Sequence, residues 1–180
     1  YGSFAVNADT GVWSYTLDNA AAAVQALAEG EQKTESFTVT VTDDQGATAT
    51  QQVAITVTGT NDAPKIAGMA GLDYVQEDAT LTDTAQIVAE DRDNGAVLTY
   101  SGDADGVYGH LAVDPTTGAL TYTLDNSSDE VQALGAGDVV HETFTVSATD
   151  EFNATTSQDV TFSVLGTNDA PVVDAVQTTA

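Results

Sequence analysis

YGHLAVDPTTGALTYTLDN, residues 108–126, is the stretch on which the fold turns. Leu111 and Val113 alternate with small or polar neighbours, and Leu120, Tyr122 and Leu124 alternate with Thr121 and Thr123. Between them lies DPTTG, a run of turn formers. Alternation with period two is the mark of a half-buried strand, so the stretch reads as a hairpin with one face turned inward. The first residues of the chain say the same thing again: YGSFAVNADTGVWSYTLDN occupies 1–19.

Working outward from these two hairpins, residues 1–64 align with 108–171 without a gap, and 33 of the 64 positions are identical. The match ends on a hexapeptide, GTNDAP, present at 59–64 and again at 166–171. A period of 107 residues is too long for a solenoid unit and suits a string of whole domains. The hexapeptide then reads as a joint: proline fixes φ at the exit of a domain, and Asn-Asp supplies turn chemistry and oxygen ligands. On this reading 1–64 is a partial repeat, truncated at its N-terminal side; 65–171 is a complete one; and 172–180 begins another.

The complete repeat divides into seven strands: A within 65–75, B at 81–89, C at 96–101, D at 107–113, E at 119–124, F at 140–149 and G at 154–165. Between E and F, DNSSDEVQALGAGD carries a short apolar pattern at Val131 and Leu134 that predicts one helical turn. Seven short strands in about 100 residues predict an all-β immunoglobulin-like sandwich. Its expected core is Val88, Leu98, Tyr100, Leu111, Val113, Leu120, Tyr122, Leu124, Phe144, Val146, Phe162 and Val164. Residues 1–64 hold only strands D to G, with Phe4, Val6, Trp13, Tyr15, Leu17, Phe37, Val39, Val41, Ile55 and Val57 in the matching places. Half a sandwich exposes its core and its edges, so this part is expected to be poorly packed alone or to borrow strands from another copy.

Charge narrows the function. Three Lys and Arg stand against 28 Asp and Glu, a net charge of −25. Nucleic acid and anionic membrane surfaces are poor partners for such a chain. There is no cysteine and no apolar run long enough to span a membrane. No Ser-His-Asp spacing, phosphate loop or histidine metal motif appears, so the chain does not read as an enzyme.

The strand order sorts the acids by end. With A running down and each following strand reversing, Glu77, Asp125, Asn168 and Asp169 gather at the bottom of the complete repeat. Asp91 and Asp93 gather at its top with Asn61 and Asp62 of the entry linker. Asp18 and Asn19 come from the bottom of the preceding repeat to the same junction. Carboxylate and amide oxygens without His or Cys are hard-cation chemistry, and calcium accepts six to eight of them in irregular geometry.

The paired motifs just quoted, with AVQALAEGE, FTVTVTDDQGAT and VTGTNDAP, resemble the VCBS repeat of large bacterial surface proteins of the RTX type, a family similar to bacterial cadherin-like domains. The resemblance covers essentially the whole chain. It implies tandem cadherin-like sandwiches that share Ca2+ at their joints, with Glu77, Asp125, Asn168–Asp169 and Asp91-x-Asp93 as the ligand pattern. It implies an extender segment of a type I secreted, cell-surface adhesin in cell adhesion and biofilm formation, whose partners are calcium and neighbouring repeats. The alternative is a calcium-dependent module for an extracellular polysaccharide, with Tyr74 and Phe152 as the candidate stacking rings.

Overall fold

A computed structural model describes residues 1–171; the proposed start of a further repeat, 172–180, lies outside the described residues. The chain forms two compact units. The first comprises 1–64 with the loops 91–97 and 150–154; the second comprises 65–90, 98–149 and the described residues from 155 onward.

In the first unit, β1 (Gly2–Val6) and β2 (Trp13–Leu17) form one antiparallel hairpin. A single helical turn, α1 (Ala22–Gln25), follows, and β3 (Gln32–Thr42) and β4 (Thr48–Thr58) form a second hairpin paired along all of its length. The turn chemistry is local. Asn7 Oδ1 accepts the amides of Asp9 and Thr10 between β1 and β2. Asp43 Oδ1 accepts those of Gln45 and Ala47 between β3 and β4. Side-chain caps of this kind stand in for strand pairing at a reversal. The hairpins meet through aromatic rings: Phe4 stacks on Phe37 at 4.6 Å and on Trp13 at 5.7 Å.

The second unit is a closed sandwich. β5 (Lys65–Ala70), β6 (Tyr74–Gln76) and β7 (Thr82–Glu90) lead to β8 (Thr99–Ser101) and β9 (Ala104–Asp105). β10 (Gly109–Val113), β11 (Ala119–Leu124), the turn α2 (Asp129–Gln132), β12 (Val139–Thr149) and β13 (Thr155–Leu165) complete it. One sheet runs β5-β7-β11-β10-β9 and the other β6-β13-β12-β8. Strand A is therefore two strands: β5 pairs antiparallel with β7, and β6 crosses to pair parallel with β13. Gly71, at φ 91°, stands where the chain changes sheets.

Between the sheets Tyr122 stacks on Phe162 at 4.8 Å and Phe144 meets Phe162 at 6.1 Å. Val75, Ile87, Leu111, Leu120, Val146 and Val164 close around them. Val131 and Leu134, the pair anticipated between E and F, are buried under this core from α2. One expected core residue is misplaced: Val88 is 45% exposed, and Ile87 beside it is buried. The inward phase of β7 is set by Asp83, Ala85 and Ile87. Asp83 is tolerated inside because its carboxylate accepts the amides of Asp73 and Thr84, and a charged residue at an inward position hides the phase from an apolar pattern. Leu98 and Tyr100 are only half-buried.

Each unit has a tyrosine that donates to a glutamate, buried in the second unit and partly exposed in the first. Tyr122 donates to Glu142, which also accepts the Val107 and Tyr108 amides. Tyr15 donates in the same way to Glu35. The hydrogen bond to Glu35, then burial and the charge of that carboxylate, push the Tyr15 phenol up to about 12.

Candidate functional site

The acids of the first unit meet at the end of the hexapeptide. Gly59 lies against the chain that follows α1, and a Cβ there would collide with the Leu27 and Ala28 carbonyls. Its amide donates to the Glu31 carbonyl at 2.8 Å, and its carbonyl accepts the Gly30 amide at 3.1 Å. Gly166 holds the same position in the second unit: its amide donates to the Asp138 carbonyl, and a Cβ would strike Leu134 and the Gly135 carbonyl. The glycine of the motif is thus a packing requirement that places Asn-Asp two residues further on.

From there the linker engages the two loops of the first unit. The Asp62 amide donates to Asp93 Oδ2 at 2.8 Å, and the Asp93 amide donates to Asp91 Oδ1 at 2.9 Å. Asn61 Nδ2 donates to Asp150 Oδ2 at 2.9 Å. Asp150 Oδ1 accepts the amides of Phe152 and Ala154. Residues after α1 complete the surround: Glu29 accepts the Asn61 amide, Glu31 accepts Asn94 Nδ2, and the Ala26 carbonyl accepts the Asn94 amide. Arg92, between the two aspartates, donates instead to Gln25 Oε1 at 3.0 Å.

Two oxygens here have no partner. Asp91 Oδ2 and Asp93 Oδ1 are buried and accept no hydrogen bond. Among the described residues no Lys, Arg or His pairs with either carboxylate. Asp93 is 6% exposed. Burial pushes its carboxyl up; the Asp62 amide opposes this, and the neighbouring charges of Asp91, Asp62 and Glu151 add to the rise. Asp150 goes the other way. Burial also raises it, but the hydrogen bonds from Asn61 and from the Ala154, Phe152 and Asn153 amides outweigh that and hold it below its usual range. An unpaired buried carboxylate oxygen carries a desolvation cost that nothing in the chain offsets and that a bound cation would offset. Hard oxygen donors without imidazole or thiolate fit calcium.

The other anticipated residues are placed differently. Asp18 and Asn19 are exposed and serve their own turn: Asp18 Oδ1 accepts the Ala20 amide, and the Asn19 carbonyl accepts Gln25 Nε2. Neither is hydrogen-bonded to Asp91 or Asp93. In the second unit Glu77 is fully buried, but both of its oxygens are used: Gln132 Nε2 donates to one and the Thr167 amide to the other. Asp125 Oδ1 accepts the Ser127 amide and hydroxyl, and Asn168 donates to the carbonyl of Asp169. Among the described residues no three Asp, Glu or His side chains converge closely enough to hold a metal by themselves. Sequence reasoning missed Glu29 and Glu31 and gave Asp150 no role. The signal for Asp150 was its spacing from Asp43 within the repeat; Glu29 has Gly-flanked alanine at its counterpart, Ala136, so no repeat signal marked it.

Residues 1–59 match the family model of the bacterial cadherin-like domain, and residues 61–163 match that of the bacterial Ig domain. Among solved structures the chain is similar to protocadherin gamma B7 extracellular cadherin domains 1–4, at 23% identity and a TM-score of 0.52, over 92% of this chain and 39% of that one. It is also similar to protocadherin gamma B2 extracellular cadherin domains 3–6, at 15% identity and a TM-score of 0.54, over 89% of this chain and 36% of that one. The chain therefore spans little more than a third of either structure, and at these identities the likeness is one of fold. No curated protein sequence matches it. No helix among the described residues is long and apolar enough to cross a membrane.

Proposed function

The chain belongs to the bacterial Ig-domain family, with a bacterial cadherin-like segment ahead of the Ig match, and from this premise of an extracellular repeat module we propose that it is a calcium-stiffened extender of a large bacterial adhesin. The observation that carries the proposal is the pair of buried, unpartnered oxygens on Asp91 and Asp93. Asp91 and Asp93 would hold the ion, with Asp62 and Asn61 of the linker as further oxygen donors. When bound, the ion supplies positive charge to carboxylates that otherwise repel one another. The chain's own part is to hold the linker against the 91–97 loop, which the Asp62–Asp93 and Asn94–Ala26 hydrogen bonds already begin. A module whose role is to set a linker needs no further site, and this is the work of a spacer. The finer reading places it in a VCBS-type array of a type I secreted surface protein serving adhesion and biofilm formation.

Binding to the folded state alone raises stability by mass action, about 2.7 kcal/mol when free ligand stands at a hundred times its Kd. Trp13 is the single tryptophan and lies in the first unit, so its emission reports that unit's melting. Calcium, and not magnesium, should raise this melting temperature, and the Asp91→Ala, Asp93→Ala variant should lose the rise while remaining folded. A folded wild-type chain indifferent to millimolar calcium would sink the proposal. The polysaccharide reading keeps one supporting feature, the exposed ring of Phe152 next to Asp150. It would be favoured if a calcium-dependent glycan retention disappeared in Phe152→Ala while the calcium-induced rise in melting temperature remained.

A further inference from the structure

Of the seven asparagines in the chain, Asn94 alone is followed by glycine. The pair lies between β7 and β8, on the segment that carries Asp91 and Asp93. The Ala96 amide donates to the Asp93 carbonyl at 3.3 Å, so Asn94 and Gly95 are the central residues of a tight turn. Gly95 takes φ 78°, a conformation open to glycine without steric cost. Both residues are exposed, and a Cβ on Gly95 would meet nothing within 4 Å. Among the described residues the Gly95 amide finds no acceptor. Asn94 itself is held: its side-chain Nδ2 donates to Glu31 Oε2 at 3.2 Å and its backbone amide to the Ala26 carbonyl at 3.0 Å. Hydrogen bonds from Lys33 and then from Asn94 hold the Glu31 carboxyl below its usual range, so it is charged at neutral pH. Asp105–Gly106 is a related pair in the opposite state. There the glycine amide donates to the Gly109 carbonyl at 2.7 Å, and Asp105 Oδ1 is bonded to His110 Nδ1 at 2.7 Å.

We propose that Asn94–Gly95 is a self-modification site, at which the folded chain converts Asn94 to isoaspartate and aspartate and so releases the 93–96 turn from Glu31. The chemistry needs only water. The Gly95 nitrogen attacks Cγ of Asn94; the N–Cγ bond forms, the Cγ–Nδ2 bond breaks, and ammonia leaves with the Gly95 amide proton. The cyclic imide then takes up water, whose hydroxyl goes to the carbonyl carbon and whose proton goes to the Gly95 nitrogen. Opening at Cγ gives aspartate. Opening at the main-chain carbonyl of Asn94 gives isoaspartate, with the chain running through the former side chain. The attacking nitrogen must be free and must carry no side chain beside it, and Gly95 meets both conditions. Either product removes the amide that donates to Glu31 and adds a negative charge to a loop of acids, which repel it. Isoaspartate also lengthens the main chain inside the turn that the Ala96–Asp93 bond closes. One consequence rests on the calcium reading above: with its turn opened, Asp93 should hold the ion less well.

The test ages the full chain at neutral and mildly alkaline pH, folded and in urea, and maps every asparagine by peptide mass and by enzymatic methylation of isoaspartate. In the folded chain the acid form should accumulate at position 94 ahead of the other six asparagines. It should accumulate faster as pH rises, because the Gly95 nitrogen must lose its proton to attack. Asn94→Gln should stay amidated there, and Asp105 should isomerise in urea but not in the folded chain. By Trp13 emission, the aged chain and Asn94→Asp should both melt lower than the fresh chain in chelator. An Asn94 that converts in urea but stays intact in the folded chain would overturn the proposal, as would conversion no faster than at Asn126, which precedes serine. An aged chain that melts like the fresh one would overturn the release of the turn. The calcium arm is separate. A fresh chain indifferent to calcium would sink the calcium reading and leave the modification standing on its mass; equal calcium responses in fresh and aged chains would overturn the link to Asp93 and leave the calcium reading standing.

Discussion

Phe37 and Phe144 sit in the same three letters, Phe-Thr-Val, on equivalent strands of equivalent hairpins. Phe144 is buried in a closed core against Tyr122 and Phe162; Phe37 meets the rings of Phe4 and Tyr15 yet is only half-buried. The residues that make the difference are elsewhere in the sequence. In the second unit β5, β6, β7, β8 and β9 extend both sheets beyond the two hairpins, and the first unit has the hairpins alone. An inward-facing pattern is thus a property of a strand, whereas burial is a property of the layer that meets it.

The largest expected effect breaks or keeps that comparison directly. Phe144→Ala removes a ring from a closed core and should cost about 3–5 kcal/mol, the range for large-to-small changes of aromatics. Phe37→Ala removes an identical side chain from an open face and should cost about 1 kcal/mol, near the middle of ordinary point changes. Hydrogen exchange in urea, read on amides of β12 and β3, separates the two units. Equal losses would mean that the face of the first unit is covered in solution.

The contrast also shows how much could be read without a structure. The hairpins were legible because alternation and turn residues are local: Asn7 and Asp114 cap their turns by the same bonds, and the turn amides of Thr117 and Thr116 hold Asp114 below its usual range. The joint was legible because GTNDAP recurs. The inward choice of Ile87 over Val88 was not, since it depends on Asp83 finding two backbone donors inside the sheet. Nor was the division of strand A between sheets, which is decided by pairing partners far along the chain. At the candidate site, the meeting of Asp62 with Asp93 follows from strand order, and Asp18 was drawn there by the same logic. The structure leaves Asp18 in its own turn because the Ala20 amide is two residues away and asks for no tertiary arrangement. Glu77 looked like a ligand by position, yet Gln132 and Thr167 satisfy it, so equivalent ends of the molecule differ in whether their acids are paired.

That second difference, satisfied Glu77 against unsatisfied Asp93, sets a pH test of smaller size, since one carboxyl carries it. A carboxyl raised in the folded state is penalised above its folded pKa, and the penalty fades as pH falls through that value toward the ordinary 3.8. In chelator, the first unit should therefore recover stability from Asp93 on moderate acidification. Asp150, held low, keeps its contribution above 3.8 and loses it only below. Other acids titrate in the same interval, so the quantity to measure is the difference from Asp93→Asn followed by Trp13 emission. The variant should be the more stable chain at neutral pH without calcium, its advantage should shrink as pH falls, and calcium should reverse the order. A difference independent of pH would remove burial of charge as the cause and weaken the case for a cation there.

The smallest expected effect lies in the two helical turns. Ser128 Oγ accepts the Val131 amide at the start of α2; its counterpart, Ala21, leaves α1 with no side-chain cap. A serine cap satisfies one of the amides that the first turn cannot pair, and replacing it by alanine typically costs about 1 kcal/mol. Ser128→Ala should lose that much or a little less, because the bond is long at 3.3 Å. Ala21→Ser should gain no more, and should show it in the first unit alone, since Val24 and Leu27 behind α1 are already buried without the cap. If the gain at Ala21 exceeds the loss at Ser128, then α1 is frayed in solution and the chain after it, which carries Glu29 and Glu31, is held by the linker and not by the helix. That outcome would shift the origin of order in the first unit from local structure to the acid site, and it would make calcium the larger lever on both.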